Sequence, residues 1–131
     1  MTSDIQQFLG VQIHKKSVPY SVLETESFSG FDRQLIQYQG SEKDEIKAYL
    51  FLPKQEIISG AILVHHQHNG ERHLGKSEVA GLLGDPYQHF CPVLAEKGFI
   101  CLAPDSICFE DRRRNMTCLL YTSDAADEWL R

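Results

Sequence analysis

The chain has 131 residues, enough for one domain, and its hydrophobic fraction of 42% and charged fraction of 24% are ordinary for a globular protein. The formal net charge of −5 gives no basic balance that would attract nucleic acid or anionic lipid, so we expect neither a nucleic-acid nor a membrane partner. No stretch approaches the ~20 apolar residues of a membrane span, and the first residues, MTSDIQQFLG, carry no secretory signal. The four cysteines show neither a CxxC pair nor zinc-like spacing. We therefore expect a cytoplasmic protein with free thiols.

The amino-terminal part predicts an extension followed by a β-hairpin. Residues 1–20 mix polar and isolated apolar side chains without a clear period, and we interpret them as an extension. Residues 31–39 predict a strand, and the polar cluster at 40–44 predicts a turn. Apolar side chains then alternate over 46–52 until Pro53 stops the run. We expect the two strands to form a hairpin at the edge of a sheet.

Two apolar runs farther along the chain predict parallel strands. The runs at 61–64 and 99–103 are uninterrupted, which is typical of strands covered on both faces. A strand, helix, strand crossover between them is a βαβ unit with parallel strands. Together with the hairpin it predicts an α/β fold with a mixed sheet. Ligands in such folds lie outside the carboxyl ends of the strands, which are here residues 65–70 and 104–109.

The segment between these two runs predicts a loop and then a helix. Residues 66–84 are irregular and rich in glycine, and a loop of this length is often functional. Asp85 and Pro86 suit the cap and the first position of a helix, and Gly98 suits its carboxyl-terminal end. Pro92 falls inside this helix and predicts a kink.

Five of the six histidines lie between residues 65 and 89, and three interpretations of this cluster stay open. In the first, main-chain N–H groups of the turn at 66–70 bind the oxyanion that forms on an ester. In the second, His66 and His68 begin a metal site, although the aspartate and histidine that would continue such a motif do not follow them. In the third, the histidines serve only in hydrogen bonding and packing.

No residue of the chain has the sequence context of an esterase nucleophile. The motif G-x-S-x-G needs both glycines because the turn is tight. Ser77 follows Gly75 correctly but has Val79 where the second glycine belongs. Ser106 has no glycine beside it, and no local pattern supports Cys108.

At this point the residues resemble a known family. The region from about 21 to 115 is similar to the first half of dienelactone-hydrolase-related and acetyl-xylan-esterase-like members of the α/β-hydrolase superfamily. The segments that carry the resemblance are, in chain order, His66-Gln67-His68, Gly75-Lys76-Ser77-Glu78, the turn at 81–85, Leu94-Ala95-Glu96-Lys97-Gly98, Ala103-Pro104-Asp105 and Phe109-Glu110-Asp111-Arg112.

The resemblance implies a truncated α/β-hydrolase fold over residues 21–117, consisting of N-terminal strands, a β-hairpin and a βαβ unit. It implies a carboxylic ester hydrolase that acts on a small-molecule ester without a cofactor or metal. Gln67 and His68 match the main-chain donors of the oxyanion hole, and His66 and Asp105 match the pocket rim. The catalytic serine, acid and histidine have no matching positions, so we expect this chain alone to be inactive. The alternative is a small non-catalytic or metal-binding domain that uses the histidines.

The carboxyl-terminal residues have a resemblance of another kind. The segment at 118–128, CLLYTSDAADE, is similar to the in-frame translation of a sequencing adapter. We therefore interpret residues 118–131 as a non-native tail and leave them out of the fold prediction. The other interpretation is a short helix capped by Ser123. With the chain interrupted there, the apolar strand at 61–65 is expected to be an unpaired edge that promotes aggregation.

Overall fold

A five-stranded mixed sheet with the order β1-β2-β3-β5-β4 organises the protein. The computed structural model describes residues 17–41, 43–68 and 70–115, so most of the predicted extension and the whole tail at 118–131, with Ser123, lie outside the described residues. None of the helices in these ranges has the length and apolar character needed to cross a membrane. The strands are β1 (Tyr20–Ser27), β2 (Phe31–Gln39), β3 (Glu45–Pro53), β4 (Gly60–Leu63) and β5 (Phe99–Pro104). The helices are α1 (Lys76–Val79) and α2 (Phe90–Glu96), and two 3₁₀ segments span Pro86–Gln88 and Glu110–Asn115.

The predicted hairpin is confirmed, but its position at the edge of the sheet was wrong. β2 and β3 pair antiparallel over their whole length, and the turn closes with a hydrogen bond from Gly40 N–H to the Asp44 carbonyl, 2.8 Å long. β1 pairs on the other side of β2 and is itself the edge strand. Every residue of β1 is exposed, so its sequence has none of the alternation that reveals a half-buried strand.

The βαβ unit is also confirmed. β4 and β5 pair parallel, with α2 in the crossover between them, and β5 pairs antiparallel with β3, which makes the sheet mixed. β4 lies at the second edge of the sheet, where its side chains at Ala61 and Leu63 are exposed. Leu63 has 57% of its surface exposed, as expected for an apolar strand that has no neighbour on one side among the described residues.

The helix predicted from Asp85 onward is interrupted. Asp85 caps as expected, because its carboxylate accepts a hydrogen bond of 2.9 Å from the Tyr87 N–H, but it caps only a 3₁₀ turn. His89 leaves helical geometry at ψ 64°, and α2 starts after it. Pro92 therefore falls in the first turn of α2, where a missing N–H breaks no helical hydrogen bond, and the predicted kink is wrong. Gly98, at φ +90°, ends the helix as expected.

The core lies between β2, β3 and β5 and the two helices. The predicted loop at 66–84 contains α1, which sequence analysis did not anticipate because four residues are too few to show a helical period. All four residues of α1 are buried, including two charged ones. The buried apolar cluster is formed by Phe31, Phe51, Val64, Val79, Ala80, Cys91, Ala95, Cys101 and Ala103.

Candidate functional site

The loops that follow β4 and β5 meet where the carboxyl ends of these two strands lie, because neighbouring parallel strands end on the same side of the sheet. The Ser106 N–H donates a hydrogen bond of 3.0 Å to Nε2 of His66. The rings of His66 and His68 pack against Phe109, with centroid distances of 4.7 Å and 5.3 Å. The structure therefore brings together the two loops that the sequence predicted to form a site. We call His66, Gln67 and His68 the strand-end loop.

His66 is held in one tautomer. Because Nε2 accepts the Ser106 N–H, the ring proton lies on Nδ1, which donates to the main-chain carbonyl of Gln67 at 2.9 Å. Both ring nitrogens are thus engaged within the protein. His66 orients the strand-end loop and has no free lone pair for a metal ion.

The side chain of Gln67 attaches the same loop to α1. Its Nε2 donates a hydrogen bond of 2.9 Å to Glu78, which is buried and whose other oxygen accepts from the Asp85 N–H at 3.1 Å. His68 is exposed apart from its contact with Phe109. Among residues 17–41, 43–68 and 70–115, no group accepts a hydrogen bond from the main-chain N–H of Gln67 or His68. Their role as oxyanion donors stays a prediction.

Asp105 lies beneath the loops, with 1% of its surface exposed. One carboxylate oxygen accepts from the main-chain N–H of Lys76 at 2.9 Å, and the other accepts from the Lys76 ammonium at 2.8 Å. The second oxygen also accepts from the Asp111 N–H at 3.3 Å. The carboxylate points inward toward α1, and its assignment to a pocket rim stays a prediction.

The buried ammonium of Lys76 is the centre of an ion cluster that sequence analysis missed. It lies 2.8 Å from Asp105, 2.7 Å from Glu110 and 2.7 Å from Asp111, so that each of its three donors has a carboxylate. We call these four residues the Lys76 ion cluster. The Ser77 hydroxyl also donates to Glu110, and the Ser77 N–H donates to the same carboxylate at 2.9 Å. Ser77 is thus buried and engaged, in keeping with its exclusion as a nucleophile.

The charges of this cluster influence one another. Burial alone would lower the pKa of Lys76, but hydrogen bonds to its three acids outweigh burial and raise that pKa, which keeps the ammonium charged. Burial raises the pKa of Asp105 above its ordinary value, against the opposing effect of Lys76. For Glu110 and Asp111, burial also acts to raise the pKa, but hydrogen bonds from Lys76 prevail and lower it.

The same carboxylates are the one group within the described residues that has the spacing of a metal site. Ligand oxygens of Asp105, Glu110 and Asp111 lie within 4.8 Å of one another. The ammonium of Lys76 is hydrogen-bonded to all three, so the protein supplies its own cation there. No histidine of the described ranges belongs to such a group. The geometry therefore gives no support to a metal site that begins with His66 and His68.

Lys76 and Glu110 were missed because a charged residue in a loop is normally exposed. The sequence did contain one indication of their importance, because both residues lie in segments that carry the resemblance to the α/β-hydrolases. Arg112 is a further case, because it donates a hydrogen bond of 2.9 Å to the Asp105 carbonyl and forms an ion pair with Asp44. Arg112 thus connects the loop after β5, through Asp105, to the turn of the hairpin, through Asp44.

No protein-family model and no curated protein matches this sequence. The solved structure of a proposed acetyl xylan esterase from Bacteroides fragilis is similar, with a TM-score of 0.54 and 14% sequence identity over 86% of this chain. The chain spans 31% of the length of that protein. At this level of identity the similarity concerns the fold alone, a mixed α/β sheet, and it confirms the α/β prediction to that extent.

Proposed function

We propose that this chain is the amino-terminal part of a serine α/β-hydrolase that acts on carboxylic esters, of the dienelactone-hydrolase and acetyl-xylan-esterase type. In this proposal the strand-end loop contributes main-chain donors to the oxyanion hole. The observation that carries it is the meeting of this loop with the loop after β5, through the hydrogen bond from Ser106 to His66. The similarity of the sheet to part of a proposed esterase supports it.

The chemistry assigned to the loop is electrostatic. When a serine oxygen attacks an ester carbonyl, the electron pair of the C=O bond moves onto oxygen, and main-chain N–H groups stabilise the resulting oxyanion. Gln67 and His68 are the proposed donors. Fixing the ring of His66 and the side chain of Gln67 reduces the motion of the peptide groups between them, as an oxyanion hole requires.

The proposal requires a nucleophile from residues that this chain does not provide. We assign the free edge of β4 to the strand that would carry it. An apolar groove of about 550 Å³ lies beside this edge, between Leu63 and His65 of the strand end and Tyr87, Phe90 and Val93 of the helical segment. A further strand and its helix would bury these side chains and complete the hydrolase sheet.

The partner in this proposal is a small-molecule ester, with neither nucleic acid nor a membrane involved, and the setting is the cytoplasm. The net charge of −5 agrees with the absence of a polyanion-binding role. The acyl pocket would be formed largely by the added part of the fold, so the proposal extends to the ester class and not to one substrate.

Sequencing of the source DNA across codon 117 is the first test. We expect the reading frame to continue, without the adapter-like residues, into a G-x-S-x-G motif. A frame that continues without such a motif contradicts the proposal.

Hydrolysis of p-nitrophenyl acetate by the longer polypeptide is the second test. Gln67→Pro or His68→Pro removes the corresponding main-chain N–H, whereas Gln67→Ala and His68→Ala retain it. We expect at least one proline variant to lower kcat by about 10²-fold or more, with a much smaller loss in its alanine control. Equal rates in each proline and alanine pair would remove both residues from the oxyanion hole.

A further inference from the structure

The strand-end loop has no helical or strand hydrogen bonds of its own and depends on side-chain attachments. Gln67 is attached to α1 through Glu78. The ring of His66 is attached to the loop after β5 through the Ser106 N–H. Both histidine rings rest on Phe109 of the same loop. The position of the strand-end loop therefore depends on how α1 and the loop after β5 are held relative to each other.

Lys76 joins those two supports. It is the first residue of α1, and its ammonium binds three carboxylates of the other loop, which come from Asp105, Glu110 and Asp111. Ser106 and Phe109, the residues that touch the histidines, lie between these carboxylates in the chain. We infer that Lys76 is a positioning residue for the strand-end loop, acting through the loop after β5. Its importance for catalysis rests on the proposed function, in which this loop forms the oxyanion hole.

The local charge explains why Lys76 has this effect. Its side chain is 2% exposed, so water cannot replace the ammonium at short range. Without it, three carboxylates within 4.8 Å of one another lose the cation that neutralises them, while the hydrogen bonds from the main chain of α1 to Asp105 and Glu110 remain. We expect the loop after β5 to loosen, which weakens the contacts of Ser106 and Phe109 with the histidine rings.

Lys47 provides a matched control. Its ammonium lies 3.8 Å from Asp111, but its side chain is 36% exposed, so water can compensate for its removal. The ammonium of Lys76 also lies 5.8 Å from the centroid of the Tyr49 ring. Lys76→Met and Lys47→Met remove the same charge and differ in the attachment that they break.

Hydrogen–deuterium exchange on the full chain tests the inference. In Lys76→Met we expect the Ser106 amide, which donates to His66, to exchange about tenfold faster, while amides of the hairpin at 31–53 keep their rates. In Lys47→Met we expect neither the Ser106 amide nor the hairpin amides to change their exchange rates. A second readout is the ¹⁵N spectrum of the His66 ring at neutral pH. The Nδ1–H tautomer should predominate in the wild-type chain and in Lys47→Met, and be lost in Lys76→Met.

Glu110→Gln decides the case in which Lys76→Met fails to fold. This variant keeps the side-chain volume and one acceptor oxygen but removes one charge of the cluster, and we expect about threefold faster exchange of the Ser106 amide. A folded Lys76→Met, or otherwise a folded Glu110→Gln, with wild-type exchange at the Ser106 amide and an unchanged His66 tautomer overturns the inference. If exchange responds as expected but the longer polypeptide lacks esterase activity, the proposed function fails and the positioning of the loop by Lys76 stands.

Discussion

At the scale of single residues, polar groups next to the site serve to hold main chain in place. His66 uses both ring nitrogens for this purpose, and Glu110 accepts hydrogen bonds from the main-chain N–H groups of Gly75 and Ser77. Within the described residues, every buried side-chain nitrogen and oxygen has a hydrogen-bond partner. A buried polar network satisfied in this way fixes one arrangement, because each alternative leaves a desolvated group without a partner.

Gly75→Ala is the residue-scale prediction. An added Cβ would meet Oδ1 of Asp105 well inside contact distance and Cβ of Glu110 at 3.0 Å, so the two acids would have to move away from Lys76. We expect the free energy of unfolding to fall by about 3 kcal/mol in urea titrations. Gly70→Ala is the control, since its Cβ meets nothing within 4 Å and only the φ of +69° opposes it, at about 1 kcal/mol. A loss at Gly75 no larger than the loss at Gly70 would contradict the packing argument.

The position of the candidate site could be predicted from the sequence, but its internal structure could not. Histidines directly after one apolar run and Pro104-Asp105 after the next identified the two loops, since parallel strands end at one edge. Which loop residues would be buried was not readable, because burial of Lys76 and Glu110 depends on contacts about 30 residues apart in sequence, a separation that local patterns do not encode. The ring tautomer of His66 likewise depends on a main-chain donor from the other loop.

At the scale of elements, the predictions succeeded where packing imposes a period and failed where it does not. The hairpin and the βαβ unit have alternating or continuous apolar runs and were found. β1 is exposed on every residue, and α1 is a single turn, so neither has a periodic signal. The helix beginning near Asp85 combined a real capping signal with a real apolar face, but His89 separates the 3₁₀ turn from α2, so the two signals belong to different segments.

The free edge of β4 supplies the element-scale prediction. Leu63 is 57% exposed on a strand whose neighbour on one side is β5 and whose other side is unpaired among the described residues. Leu63→Lys places a charge at this edge and should reduce concentration-dependent association, because charged side chains oppose strand pairing between chains. Sedimentation velocity over a concentration series measures this.

Ile57→Lys is the matched control for that experiment. Ile57 is 82% exposed and lies between β3 and β4, outside any strand. The variant gains the same charge without altering a sheet edge, so its association should stay close to that of the parent chain. If Leu63→Lys and Ile57→Lys reduced association equally, the association would not depend on the edge of β4.

At the scale of the whole molecule, the cluster makes stability depend on pH. The pKa values of Glu110 and Asp111 lie below their ordinary values of 4.5 and 3.8, so they stabilise the fold above those values and lose that contribution as pH falls through the folded-state pKa values. Asp105 acts in the opposite direction, because its raised pKa favours the protonated acid in the folded state. The contributions of Glu110 and Asp111 are thus lost in acid, whereas the contribution of Asp105 changes in the opposite sense.

Thermal unfolding between pH 7 and pH 3.5 measures this dependence. Glu110→Gln removes one of these two stabilising ionisations, so we expect its Tm to depend less steeply on acid than that of the parent chain. The comparison of slopes is independent of the Tm that the variant has at neutral pH. Parallel curves for the two proteins would exclude Glu110 as a source of the pH dependence.

We also expect the chain to be inactive as an esterase, because its sequence lacks the motif of an esterase nucleophile. Ester hydrolysis needs a nucleophile, a base and oxyanion donors within a few ångströms of one carbon. Within the described residues Ser77, the serine nearest to a nucleophile motif, is 5% exposed and its hydroxyl donates to Glu110. We expect p-nitrophenyl acetate to be hydrolysed no faster than the histidine side chains achieve in the urea-unfolded chain, and Ser77→Ala to leave that rate unchanged. Enzyme-like turnover abolished by Ser77→Ala would make Ser77 a nucleophile in spite of its missing second glycine.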